Sequence, residues 1–102
     1  MEIQGRECKE IKIGEHSYWF IEKYKGGDVR KMYNIMVVKG KLSLKEGTIL
    51  LRLPKIFSIL CLRVDDDVEP TLELIDNLSV SDYTKIQNQV IEEVTNLFTE
   101  IQ

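Results

Sequence analysis

Residues that carry covalent or metal chemistry are scarce in this chain. It has one histidine, His16, and two cysteines, Cys8 and Cys61, at no metal-like spacing. Zinc sites draw on Cys and His in local pairs, so no metal is expected. Ser-His-Asp or Cys-His catalysis needs an acid and a nucleophile at one imidazole. His16 follows Gly14-Glu15 and reads instead as an exposed turn histidine. Cys61 lies in an apolar run and reads as a small buried hydrophobe, Cys8 opens a strand, and nothing requires a disulfide. Glycine patterns that cradle phosphate are missing too: "KGGD" (25–28) belongs to neither GxGxxG nor a Walker-type loop. The acidic run Asp65, Asp66, Asp67 and Glu69 lacks the central glycine and terminal glutamate of a calcium loop, and reads as a solvated linker. No catalytic residue, cofactor or metal is therefore expected, and the chain is read as no enzyme.

Long apolar runs are missing as well. The richest, "ILLRLPKIFSILCLRV" (49–64), is broken by Arg52, Pro54 and Lys55 and is too short for a bilayer. "MEIQGRECKE" is charged and has no apolar core, so the sequence predicts no signal peptide, no membrane and a cytoplasmic protein. A length of 102 residues with 43% hydrophobic and 30% charged residues fits one soluble domain, 1–102. Charge of one sign is nearly absent from the second half. Residues 1–55 hold 12 Lys/Arg against 7 Asp/Glu, whereas residues 56–102 hold 2 against 10. Phosphate binding needs clustered cations, so no nucleic acid is expected, and the opposed halves favour self-association head to tail.

Periodicity predicts an α+β fold, an N-terminal β-hairpin packed against a small bundle of three to four helices. Two alternating runs in "CKEIKIGEHSYWFIEKY" flank Gly14-Glu15, which predicts a hairpin over about 7–24 with a II′ turn. Pairing Ile13 with His16 puts Ile11, Ile13, Tyr18 and Phe20 on the packed face and Trp19 and Ile21 on the outer one. Asp28 as N-cap and Gly40 as C′ residue bound a helix at about 29–39, with Val29, Met32, Tyr33, Met36 and Val37 on one face and Ile35 and Val38 toward the other. "SLKE" (43–46) matches a capping box. Helices are predicted at about 49–63, with Pro54 in a first turn or kink, and at about 70–78, opened by Pro70 with Leu72, Ile75 and Leu78 inward. Ser79 or Ser81 caps a last helix, about 82–100, whose stripe is Tyr83, Ile86, Val90, Val94, Leu97, Phe98 and Ile101.

Burying such side chains fully is worth about 1.5–3 kcal/mol each, so that stripe must find cover. It is read as mostly core. Candidate protein-binding residues are sought elsewhere: Trp19, Ile21 and Tyr24 on the hairpin's outer side, and Met32, Ile35 and Met36 on the first helix. Aromatic residues are common interface anchors, and methionine offers adaptable surface.

The order of these pieces resembles a known family. "WFIEKY", then "KGGDVRKMYNIM", then "LPKIFSILCLRVDDD" and "LIDNLSVSDYTKIQNQVIEEV" look like the small tail assembly chaperones of long-tailed bacteriophages and prophages of Gram-positive bacteria. Gly27-Asp28-Val29-Arg30-Lys31 and Leu78 to Ile86 carry the likeness, which covers roughly residues 17–98. A tryptophan frequent after the central helix in that family is replaced here by Cys61-Leu62-Arg63-Val64. The resemblance implies a non-enzymatic factor that coats the tape-measure protein until tail-tube subunits polymerise, with this chain as the short product of a frameshifted pair. Tape-measure protein and tail-tube protein are then the expected partners. A small mobile-element inhibitor or adaptor that binds a host protein is the alternative.

Overall fold

The structure, a computed structural model, describes residues 1–66 and 72–101. Predictions for Asp67, Glu69 and Pro70, and for the side chains of Leu72 and Ile101, lie outside the described residues. The fold is α+β. Strands β1 (Glu2–Ile3), β2 (Arg6–Ile13), β3 (His16–Ile21) and β6 (Cys61–Val64) form one curled antiparallel sheet in the order β1-β2-β3-β6. Helices α1 (Gly26–Met36), α2 (Glu46–Leu51), α3 (Leu53–Leu60), α4 (Leu72–Asp76) and α5 (Val80–Ile101) complete it, with a two-stranded ribbon of β4 (Val37–Val38) and β5 (Lys41–Leu42) between α1 and α2.

Gly14, at φ 60°, opens the two-residue turn between β2 and β3, and Ile13 faces His16. Directly opposed residues share a face, so Ile11, Ile13, Tyr18 and Phe20 lie on one side. Here Phe57 of α3 meets both the Tyr18 and the Phe20 rings edge to face, each at 6.2 Å between centroids. Helix α3 is the hub: it packs against α1, α2, α5 and β6. Leu53, Ile56, Phe57 and Leu60 are all buried, and α5 adds Ile86, Val90, Val94, Leu97 and Phe98.

Four expectations need correction. The hairpin of β2 and β3 is half of a four-stranded sheet, because β1 pairs with β2 and β6 takes the free edge of β3 through the pairs Tyr18 to Val64 and Phe20 to Cys61. The predicted helix at 49–63 is α2 and α3 with a break at Arg52, and Pro54 sits in the first turn of α3, where its missing N–H costs nothing. Its last residues are strand. Helix α1 begins and ends three residues early, because Asp28 acts from inside its first turn: the Lys25 N–H donates to Asp28 Oδ2 at 2.8 Å. Gly40 is no helix cap; Lys39 and Gly40, at φ 51° and 78°, make the tight turn of the β4–β5 ribbon.

The "SLKE" capping box also gives way. Lys45 precedes α2, while Ser43 Oγ pairs with Thr48 Oγ1 at 2.9 Å. Ser79 is the cap of α5, its Oγ accepting from the Asp82 N–H at 3.2 Å. On the sheet's other face, Ile3, Arg6, Cys8 and Ile21 share a side by register, and Ile3, Cys8 and Ile21 are buried apart from the main core. Arg6 reaches across to form an ion pair with Asp28 and to donate to the Lys23 carbonyl at 3.3 Å, which fastens the start of α1 to the sheet.

Candidate protein-binding surface

The surface begins with the local chemistry of residues 37–45, "VVKGKLSLK", which hold three lysines and no acid. Two-residue strands cannot bury both faces of a ribbon. Val37 and Leu42 pair across it and are 38% and 39% exposed, and Leu44 just beyond is 43% exposed. Two hollows meet at Leu44. One, of about 260 Å³, is lined by Leu44, Ile49, Val94, Thr95, Phe98 and Thr99. The other, of about 350 Å³, is lined by Val38, Lys41, Leu42, Ser43, Leu44 and Lys45. Tyr33, itself part-exposed, stacks edge to face on Phe98 at 5.3 Å and extends the apolar ground toward α1.

The ribbon is held in place at its base. Arg52 at the α2–α3 break donates to the Ile35 carbonyl and, at 3.1 Å, to the Val37 carbonyl. The Ser43 N–H donates to the Met36 carbonyl at 2.8 Å. Lys41 and Lys45 line the second hollow, and Lys39 stands exposed at the turn of the ribbon. Apolar side chains exposed beside charged ones are one mark of a contact surface.

Of the six candidates read from sequence, none lines either hollow. Ile21, Met32 and Met36 are buried and offer nothing to a partner. Ile21 faces away from the main core as predicted, but its β2 partner Cys8 and, by register, Ile3 of β1 share its side of the sheet, and all three are buried. Trp19 is half-buried with the Arg63 guanidinium 5.9 Å from its ring centroid, a cation–π contact from the neighbouring strand. Tyr24 is half-buried and donates to Glu93. Ile35 packs against the core, and its carbonyl holds Arg52. The exposed residues missed were Val37, Leu42 and Leu44; Phe98, itself buried, only lines the first hollow. The signal for these three was valine and leucine set close to the lysines around Lys39-Gly40.

Comparison with known proteins finds no matching family model, no matching curated protein and no matching solved structure.

Other titratable groups are built into the fold. Glu93, on α5, is 1% exposed; Lys9 Nζ lies 2.7 Å from its carboxylate, Gln89 Nε2 donates to it at 2.9 Å, and the Tyr24 hydroxyl donates as well. Lys9, Glu22, Tyr24, Glu93, Asn96 and Thr99 line a shallow hollow of about 260 Å³, but its one buried carboxylate is fully engaged. His16 Nδ1 pairs with Asp65 Oδ2 at 2.6 Å, and the Ser17 N–H donates to Asp65 Oδ1 at 2.9 Å, so this corner closes β3 onto the end of β6. Burial pushes the Cys61 thiol up to about 12 and raises Cys8, the opposite of what activates a nucleophile. Among the described residues, no three His, Cys, Asp or Glu side chains gather as metal ligands, and no helix is long and apolar enough to cross a membrane.

Proposed function

We propose that the chain is a non-enzymatic assembly factor that binds another protein through the lysine-flanked apolar surface around β4–β5. In the manner of the tail assembly chaperones its sequence resembles, the client is a tape-measure protein, kept soluble in the host cytoplasm until tail-tube subunits polymerise around it. One observation carries this reading: Leu42 and Leu44 stand part-exposed beside two hollows, one of which reaches Phe98, on a ribbon fastened by Arg52. A surface held ready in this way loses little conformational freedom on binding, which favours affinity. The lysines add solubility to the free protein and steer an acidic client.

The test is co-expression of the chain with a tape-measure fragment that aggregates alone. The parent is expected to hold the fragment soluble and co-purify with it, and a Leu42→Ser/Leu44→Ser variant to lose at least tenfold in capture while melting like the parent. A parent that ignores the fragment and instead retains one defined host protein points to the adaptor and sinks the chaperone reading.

A further inference from the structure

The lysine-flanked surface has a counterpart on the same molecule. Residues 73–82, "ELIDNLSVSD", hold three acids and no cation. Glu73 and Asp76 are exposed, Asp82 is half-buried against the Gly14 turn, and Lys85 is the first cation beyond them. Among them Val80, the first residue of α5, is 84% exposed, an apolar knob with acid on either side. Residues 37–45 offer the reverse, an apolar hollow with lysines around it.

The two surfaces are at opposite ends of one rod. Val80 starts α5, whereas Val94, Thr95, Phe98 and Thr99 of the hollow lie near its end. Eighteen residues separate Val80 from Phe98, a rise of roughly 27 Å along the axis. A straight helix cannot fold back to join its own ends, so the match is met only between molecules. Because knob and hollow are different surfaces, the contact is head to tail and leaves one of each free, which builds open chains unless the rotation closes them into a ring.

We propose that, in the absence of a client, the hollow around Leu44 receives the acidic Val80 end of a second copy of this chain. The inference rests on the reading of that surface as a docking site. Such an arrangement covers the exposed leucines of the free protein and is displaced when a client binds. Knob and hollow are small beside the roughly 1,200–2,000 Å² of a stable interface, so the association is weak and governed by concentration.

Sedimentation velocity of the full chain in low salt, from about 10 μM to about 1 mM, reads this directly. The expected result is a sedimentation coefficient that climbs with concentration without reaching a plateau, and an association at least tenfold weaker in about 0.5 M salt. Leu42→Ser/Leu44→Ser breaks the hollow, and Glu73→Gln/Asp76→Asn/Val80→Ser breaks the knob. All five positions are exposed, and melting curves confirm that both variants fold. Each variant alone is expected to stay monomeric, while an equimolar mixture gives a dimer that grows no further, since each keeps one working half. A parent that stays monomeric to about 1 mM overturns the inference, as does a mixture that fails to dimerise. So does a monomeric parent that pellets with phosphatidylglycerol vesicles, which assigns the hollow to a membrane surface. A monomeric parent that still captures the tape-measure fragment removes this inference and leaves the proposed function standing; self-association without capture does the opposite.

Discussion

Lys9 of β2 and Glu93 of α5 form an ion pair at 2.7 Å, with the Glu93 side chain 1% exposed and that of Lys9 35% exposed. The pair joins the sheet to the last helix in the middle of an otherwise apolar stripe. Removing one partner of a fully buried pair costs about 3–5 kcal/mol, so Lys9→Met, at a part-exposed position, is expected to cost about 1–3 kcal/mol. Adding Glu93→Gln relieves the stranded charge, and the double variant should fall short of the summed single losses by at least about 0.5 kcal/mol in urea titrations.

Gly14 and Gly47 make a contrast. Gly14 has φ 60°, and a Cβ there would stand 2.9 Å from Asp82 Cγ. Gly14→Ala therefore meets both backbone strain and a carboxylate, and a loss of at least about 1–2 kcal/mol is expected. Gly47 lies in α2 with nothing within 4 Å of the added carbon. Gly47→Ala is expected to raise stability by about 0.5–1 kcal/mol. Thermal melts of the two variants check both signs.

Tyr18 is fully buried, and its hydroxyl is the buried side-chain polar group without a partner among the described residues. Burial pushes the phenol up to about 12, so it remains protonated at neutral pH. Tyr18→Phe deletes an unsatisfied group and keeps the ring against Phe57; the melting temperature is expected to hold or rise. Phe57→Ala removes that ring's partner and should cost about 3–5 kcal/mol, much of a small domain's stability.

Acid sensitivity follows from two carboxylates. Burial alone would raise Asp28, but the Arg6 guanidinium and the Lys25 N–H overcome it and hold the group below its ordinary value. Asp65 is held down by the His16 hydrogen bond and by the Ser17 N–H. A carboxylate depressed in the folded state adds stability above its unfolded pKa, near 3.9, and loses it as pH falls through the folded value. The urea midpoint is expected to drop between about pH 5 and pH 2, and to drop less steeply in Asp28→Asn and Asp65→Asn. Equal slopes in all three proteins would remove both carboxylates from the account.

The stripe of α5, the turn at Gly14-Glu15 and the helical start at Pro54 were legible in the sequence because each is decided within a few residues. Helical hydrogen bonds span four positions, and a glycine or proline sets its own backbone. Cys61 to Val64 was not legible, since three apolar residues around Arg63 suit a helix end or a strand equally, and only the open edge of β3 makes them strand. Val37 and Val38 fitted the end of the helix predicted at about 29–39, yet the Lys39-Gly40 turn and Arg52, fifteen residues from Val37, end the helix at Met36 and turn this stretch into a ribbon. Glu93 looked like any polar position of a long helix until Lys9 and Tyr24, distant in the chain, arrived beside it. Sequence alone thus determined the long α5 helix and the Gly14-Glu15 turn; where α1 and α3 stop, and which apolar side chains are covered or left exposed, was decided by contacts between segments far apart, because burial depends on what arrives from elsewhere in the chain.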